Sequence, residues 1–66
     1  MQQTTNPKDR SVQFTGVSTE QDYVNIAQSA KICGCTMETE NFLQDIHVSG
    51  TKRQMQLFNA EMEKRS

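Results

Sequence analysis

The sequence predicts a mostly α-helical chain with one short strand, a unit that completes its hydrophobic core with a second copy. Three observations lead to this fold class. One short alternating run precedes two helical patterns, a glycine turn joins those patterns, and only 33% of the 66 residues are hydrophobic. A single core of this size is marginally stable without disulfides, a metal or oligomerisation. We therefore expect a homodimer.

The first element of the prediction is a flexible arm over residues 1–9. This segment is rich in Gln, Thr and Asn, contains Pro7 and has no apolar periodicity. From Ser11 the pattern changes to period two, with Val12 and Phe14 on one face and polar residues on the other, until Gly16. We recognise no second alternating run and no internal repeat. The backbone of this strand would therefore pair with another molecule.

Three helical patterns follow the predicted strand. Ser18 and Gln21 have the spacing of a capping box, and the apolar residues after them recur at helical spacing: Tyr23, Ile26, Ala27, Ala30 and Cys33. Gly34 can end this helix, and Thr36 can cap a second helix with the apolar stripe Phe42, Leu43 and Ile46. An extra C-terminal helix over residues 52–64 is predicted from Met55, Phe58 and Met62.

Composition and cysteine spacing argue against several functional classes. Cys33 and Cys35 are too close in sequence for a useful disulfide, which favours a reducing, cytoplasmic compartment. With His47 as the only histidine, they do not form a zinc pattern or a nucleophile with its base. We expect no enzyme activity, no catalytic residue, no cofactor and no metal. No apolar run is long enough for a membrane span.

The order of strand, helix, glycine turn and helix resembles the ribbon-helix-helix family of dimeric DNA-binding proteins. The likeness covers residues 10–48: a ribbon from Ser11 to Thr15, a first helix from Ser18 to Cys33, and the turn from Cys33 to Met37. Within that family, the chain looks most like the relaxosome accessory proteins of mobilisable plasmids. The residues at comparable places are Ala27, Ala30, Cys33, Gly34, Thr36 and Phe42. Arc-like and antitoxin-like repressors share the general outline.

The resemblance implies an intertwined homodimer with an intermolecular two-stranded antiparallel ribbon. The flexible arm would cover residues 1–9, the dimerisation and DNA-binding domain 10–50, and the C-terminal helix or extension 51–66. The residues that would read DNA bases in the major groove are Ser11, Gln13 and Thr15. Those that would contact the DNA backbone are Lys8, Arg10, Thr36 and Met37. The dimer core would comprise Val12, Phe14, Tyr23, Ile26, Ala27, Ala30, Leu43 and Ile46.

The function that the resemblance implies is sequence-specific binding of double-stranded DNA, as a plasmid relaxosome accessory factor in conjugation or as a transcriptional autorepressor. A relaxase or a toxin protein would be a further partner. The charge distribution supports a second hypothesis, because residues 17–50 carry a net charge of −4 although the whole chain carries −1. Glu38 and Glu40 would repel a phosphate held near Thr36. The alternative is a small protein-binding inhibitor or antitoxin that acts through this acidic middle and the C-terminal amphipathic helix. A helical monomer without a strand is a third option.

Overall fold

Six regular elements follow one another in the computed structural model, which describes residues 1–65. They are β1 (Gln2–Thr5), β2 (Val12–Thr15), α1 (Glu20–Cys33), β3 (Thr36–Glu40), β4 (Asp45–Ser49) and α2 (Lys52–Arg65). The strands form one antiparallel sheet in the order β1-β2-β4-β3. The structure is thus an α+β domain, and the prediction of a mostly α-helical chain with one short strand is wrong.

Strand β2 is paired on both sides within its own chain, which excludes the intertwined ribbon. Val12 lies opposite Thr5 of β1 and Val48 of β4, and Phe14 lies opposite Gln3 and Ile46. Both rows of backbone hydrogen-bonding groups on β2 therefore have partners in the same molecule. The predicted pairing of this strand with a second copy is wrong for that reason.

The predicted second helix is replaced by the hairpin of β3 and β4. Along β4, Ile46 and Val48 are buried, while Asp45, His47 and Ser49 between them are only partly buried. This alternation is the period of a strand with one face in the core, and β-branched residues favour it. Thr36 and Met37 consequently begin a strand and not a helix.

Residues 1–9, interpreted from the sequence as a flexible arm, contribute the edge strand β1 and the turn that leads to β2. The amide of Asn6 donates to the carbonyl of Ser11 at 2.8 Å, and the amide of Arg10 donates to the carbonyl of Asn6 at 2.8 Å. The amide of Ser11 donates instead to the Asp9 carboxylate at 2.9 Å. That hydrogen bond lowers the pKa of Asp9.

Both helices cover the same face of the sheet and enclose the core with it. The fully buried large side chains come from three sources: Val12 and Phe14 on β2, Ile46 and Val48 on β4, and Ile26, Met55 and Phe58 on the helices. The rings of Phe14 and Phe58 meet edge to face, with centroids 6.2 Å apart. Of the predicted dimer core, Val12, Phe14, Ile26, Ala30 and Ile46 lie inside this single-chain core, Tyr23 and Ala27 are half-buried, and Leu43 is exposed.

The two predicted helices outside the hairpin are confirmed. Helix α1 is capped by Thr19 instead of Ser18, since the Thr19 hydroxyl accepts from the amide of Asp22, and it ends at Gly34 with a φ of 73°. Helix α2 begins with a capping box, because Thr51 and Gln54 each accept a hydrogen bond from the other's amide. Neither helix within residues 1–65 has the length and apolar character of a membrane span.

Candidate functional site

The sheet face that the helices leave uncovered is polar. One row across it runs through Thr4, Gln13, His47 and Glu38, which are neighbours in the strand register. At the centre of this row, Nδ1 of His47 lies 3.0 Å from Oε1 of Gln13. Since an amide oxygen only accepts, a hydrogen bond between these two atoms requires the His47 tautomer that is protonated on Nδ1. The sheet therefore offers polar contacts on this face and a closed core on the other.

The residues that the resemblance selected for DNA contact fall into two groups. Lys8, Ser11 and Gln13 line one groove beside the β1–β2 turn, although Ser11 itself is buried. Thr15 is the other polar residue of β2, and Arg10 lies in the tight turn with a φ of 61°. Thr36 and Met37, by contrast, belong to β3 at the far edge of the sheet. No helix begins there, so their amides do not form a helix N-terminal anion site.

The β3–β4 hairpin, residues 36–49, concentrates negative charge. It contains Glu38, Glu40 and Asp45 and no Lys or Arg, which gives the hairpin a charge of −3, against +2 for the remainder of the chain. Glu40 lies opposite Asp45 in the strand register, and Glu38 lies opposite His47. These side chains line a common groove with Gln13. We refer to residues 36–49 as the acidic hairpin. Among the described residues, no group of three or more His, Cys, Asp or Glu could hold a metal ion.

The tip of the acidic hairpin has an unusual backbone. Asn41, Phe42 and Leu43 have φ values of 53°, 56° and 72°, a backbone region that residues other than Gly rarely adopt. Such a run is strained, and the surrounding contacts must hold it. The amide of Gln44 donates to the carbonyl of Asn41 at 3.1 Å, and the amide of Val17 donates to the carbonyl of Gln44 at 2.9 Å. The tip is thereby fixed to the loop that precedes α1.

The strained tip presents apolar side chains to solvent. Phe42 is 100% exposed and Leu43 is 47% exposed. We call these two residues the apolar tip. Together with neighbouring residues they border a shallow depression, whose other lining residues are Val17, Ser18, Thr19, Glu20 and Tyr23. The sequence had suggested Phe42 as part of a helical stripe. The sequence signal for this turn is Asn41, a turn residue between two short strand patterns.

Cys33 and Cys35 are both free and partly buried on either side of Gly34. The Cys35 thiol lies 3.7 Å from the carbonyl oxygen of Gln54 and 3.9 Å from the sulfur of Met55. Burial raises the pKa of the Cys35 thiol, and the neighbouring Cys33 adds to that effect. Both cysteines pack against the core, so the pair has a structural role at the end of α1.

We expect iodoacetamide to alkylate Cys35 more slowly than Cys33 at about pH 8, because a raised pKa leaves less of the reactive thiolate. A time course read by mass spectrometry, on the single variants Cys33→Ser and Cys35→Ser, measures each thiol separately. Alkylation of Cys35 should accelerate as the pH rises toward its raised pKa. Faster alkylation of Cys35 at the lower pH would contradict this assignment.

Comparison of the chain with protein-family models, with curated proteins and with solved structures found no match. The class of protein is therefore defined by the architecture alone, a two-layer α+β domain whose sheet includes the acidic hairpin. Its function must be inferred from the geometry of that hairpin.

Proposed function

We propose that this chain is a small protein-binding module, an inhibitor or adaptor, that binds a partner protein through the apolar tip of its acidic hairpin. The partner would have an apolar pocket for Phe42, rimmed by Lys and Arg side chains. The observation that carries the proposal is the complete exposure of Phe42 at a strained, fixed turn. We also propose that the protein is located in the reducing cytoplasm, where two free cysteines stay reduced.

The apolar tip supplies the binding energy in this proposal. Burying a fully exposed Phe side chain is worth roughly 1.5–3 kcal/mol, and aromatic residues are enriched among the residues that dominate interfaces. The backbone hydrogen bonds of Val17 and Gln44 already order the tip. A pre-ordered loop loses little conformational entropy on binding, so more of that energy appears as affinity.

The surrounding charge selects the partner. Glu38, Glu40 and Asp45 lie on the same hairpin as the apolar tip, and the hairpin has no Lys or Arg to neutralise them. Complementary charges at the rim of an interface accelerate association and exclude partners of like charge. The acidic hairpin is therefore suited to a basic protein surface.

The same charges argue against a nucleic acid as the binding partner, because they would repel its phosphates. Duplex DNA binding through Gln13 and Thr15, as in a plasmid relaxosome factor or a repressor, stays an untested hypothesis. The residues that would contact the DNA bases lie on the uncovered sheet face and not on a ribbon shared by two chains. The protein-binding alternative from the sequence also assigned the C-terminal amphipathic helix to a partner. In this structure Met55 and Phe58 of that helix are buried in the core, so they do not contact a partner.

The proposal is tested by placing a photo-crosslinking amino acid, benzoylphenylalanine, at position 42 in the cells that make the protein. The matched control carries it at position 57, since Leu57 is also exposed but belongs to α2 and not to the hairpin. We expect one protein to crosslink from position 42 and not from position 57, at a pocket with basic residues around it. Crosslinks to nucleic acid, or equal crosslinking from both positions, would contradict the proposal.

The purified partner then allows a quantitative test. We expect Phe42→Ala to weaken binding by about 30-fold or more, since truncation of a central aromatic residue costs about 2 kcal/mol or more. The double variant Glu38→Gln, Glu40→Gln should mainly slow association and reduce its dependence on salt. Circular dichroism should show both variants folded, because all three side chains are exposed. Unchanged affinity in Phe42→Ala would refute the role of the tip.

A further inference from the structure

The two edges of the sheet differ in a way that points to a second interaction surface. The edge strand β3 carries Glu38 and Glu40, and charged side chains are a common protection against unwanted pairing of edge strands. The opposite edge strand β1 has the sequence Gln-Gln-Thr-Thr, with every residue exposed and no charged side chain. It lacks a proline or a charged group that would block the approach of another strand.

The hydrogen bond at the start of the β1–β2 turn shows which backbone groups of β1 are free. The amide of Asn6 donates to the carbonyl of Ser11, so this pair is hydrogen-bonded. Hydrogen-bonded and non-hydrogen-bonded pairs alternate in antiparallel sheets. In the observed register, Thr4 then bonds to Gln13, while Gln3 and Thr5 direct their amides and carbonyls away from β2. These outward groups form a short unpaired row.

We propose that β1 pairs antiparallel with β1 of a second copy of this chain, about a twofold axis at Thr4. Gln3 of each copy would lie opposite Thr5 of the other, which satisfies four outward hydrogen-bonding sites on each strand. The two sheets become one continuous sheet of eight strands. This dimer differs from the intertwined ribbon, because β2 keeps both of its partners inside its own chain.

Because β1 is neutral, two copies of the chain pair more favourably through their β1 strands than through their β3 strands. Two β3 strands would bring four glutamates together, and like charges directly opposite one another destabilise a strand pair. Two β1 strands meet without such a cost. Beside them, a groove between β1 and α2 is lined by Met1, Gln3, Thr5, Asn59, Met62 and Glu63. The second copy would cover part of this groove, including the exposed side chain of Met1.

The short length of β1 sets the expected strength of the dimer. A four-residue edge and part of one groove bury less surface than a standard stable interface, which covers roughly 800 Å² per partner. We therefore expect a dimer that dissociates on dilution in the micromolar range. The apolar tip belongs to the β3–β4 hairpin, and β3 forms the opposite edge of the sheet, so this inference stands independently of the proposed function.

Sedimentation of the full chain over a concentration series tests the pairing. We expect the mass to double with concentration, and Thr4→Lys to weaken dimerisation by about fivefold through the two lysines that meet at the axis. Thr4→Glu should do the same, and an equimolar mixture of the two variants should dimerise at least as well as the unmodified chain. Thr36→Lys on β3 is the matched control and should leave dimerisation unchanged.

Amide hydrogen exchange identifies the strand that pairs. The amides of Gln3 and Thr5 should exchange about tenfold more slowly at a concentration where the dimer predominates than after dilution. A chain that remains monomeric at millimolar concentration would overturn the inference. A dimer that Thr4→Lys does not weaken, or that leaves these two amides unprotected, would overturn it equally.

Discussion

Truncation of Phe58 to alanine is expected to unfold most of the protein at room temperature. Phe58 is fully buried on α2, and its ring packs edge to face against Phe14 of β2. Removing a buried Phe side chain costs roughly 3–5 kcal/mol from lost burial and the cavity that remains. That cost approaches the whole stability of many small domains. Urea unfolding followed by circular dichroism measures the loss.

The neighbouring residue Leu57 provides the control for this experiment. It belongs to the same helix and is 48% exposed. Because Leu57 stays about half exposed in the folded protein, folding buries little of its side chain. Leu57→Ala should therefore lower the free energy of unfolding by about 1 kcal/mol or less. If both variants lost the same stability, the burial of Phe58 between helix and sheet would be incorrect.

The second large effect is expected at Gln54, which joins the two helices. Its Oε1 accepts from the amide of Thr51 at 2.8 Å, while its Nε2 donates to the carbonyl of Gly34 at 3.1 Å. The first bond belongs to the capping box of α2, and the second satisfies a carbonyl at the end of α1. Gln54→Ala removes both and should lower the free energy of unfolding by about 2 kcal/mol.

A conservative substitution separates the two hydrogen bonds of Gln54. Gln54→Glu keeps an oxygen that accepts from Thr51 but cannot donate to Gly34, so it should recover about half of the stability lost in Gln54→Ala. Gln56→Ala is the matched control, since Gln56 is an exposed glutamine of the same helix. The capping role would be refuted by Gln54→Glu being as unstable as Gln54→Ala.

The parts of the fold that the sequence predicted correctly are its longest regular patterns. Helices α1 and α2 each span 14 residues, long enough for the helical period to be recognised. The core strand β2 was also recognised from Val12 and Phe14. By contrast, the apolar positions Phe42, Leu43 and Ile46 fit a helical stripe as well as a strand. The apolar spacing therefore does not separate the five-residue strand β4 from a helix.

Strand β1 and the candidate site depend on information that periodicity does not contain. The sequence of β1 has no apolar residue, because this edge strand lies outside the buried core. The acidic residues Glu38 and Glu40 were recognised, and so was the outward position of Gln13. The exposure of Phe42 was not, since it follows from left-handed backbone conformations that Phe rarely adopts. Tertiary contacts of the loop maintain those conformations.

The register of β2 with β4 reveals an approximate twofold symmetry inside the chain. Val12 lies opposite Val48, Gln13 opposite His47 and Phe14 opposite Ile46. If each residue of β2 is exchanged for the residue 34 positions away on β4, the same three pairs return. Both halves of the chain also have the element order strand, strand, helix, and both helices have 14 residues. The second half thus occupies the position that the sequence had assigned to a partner molecule.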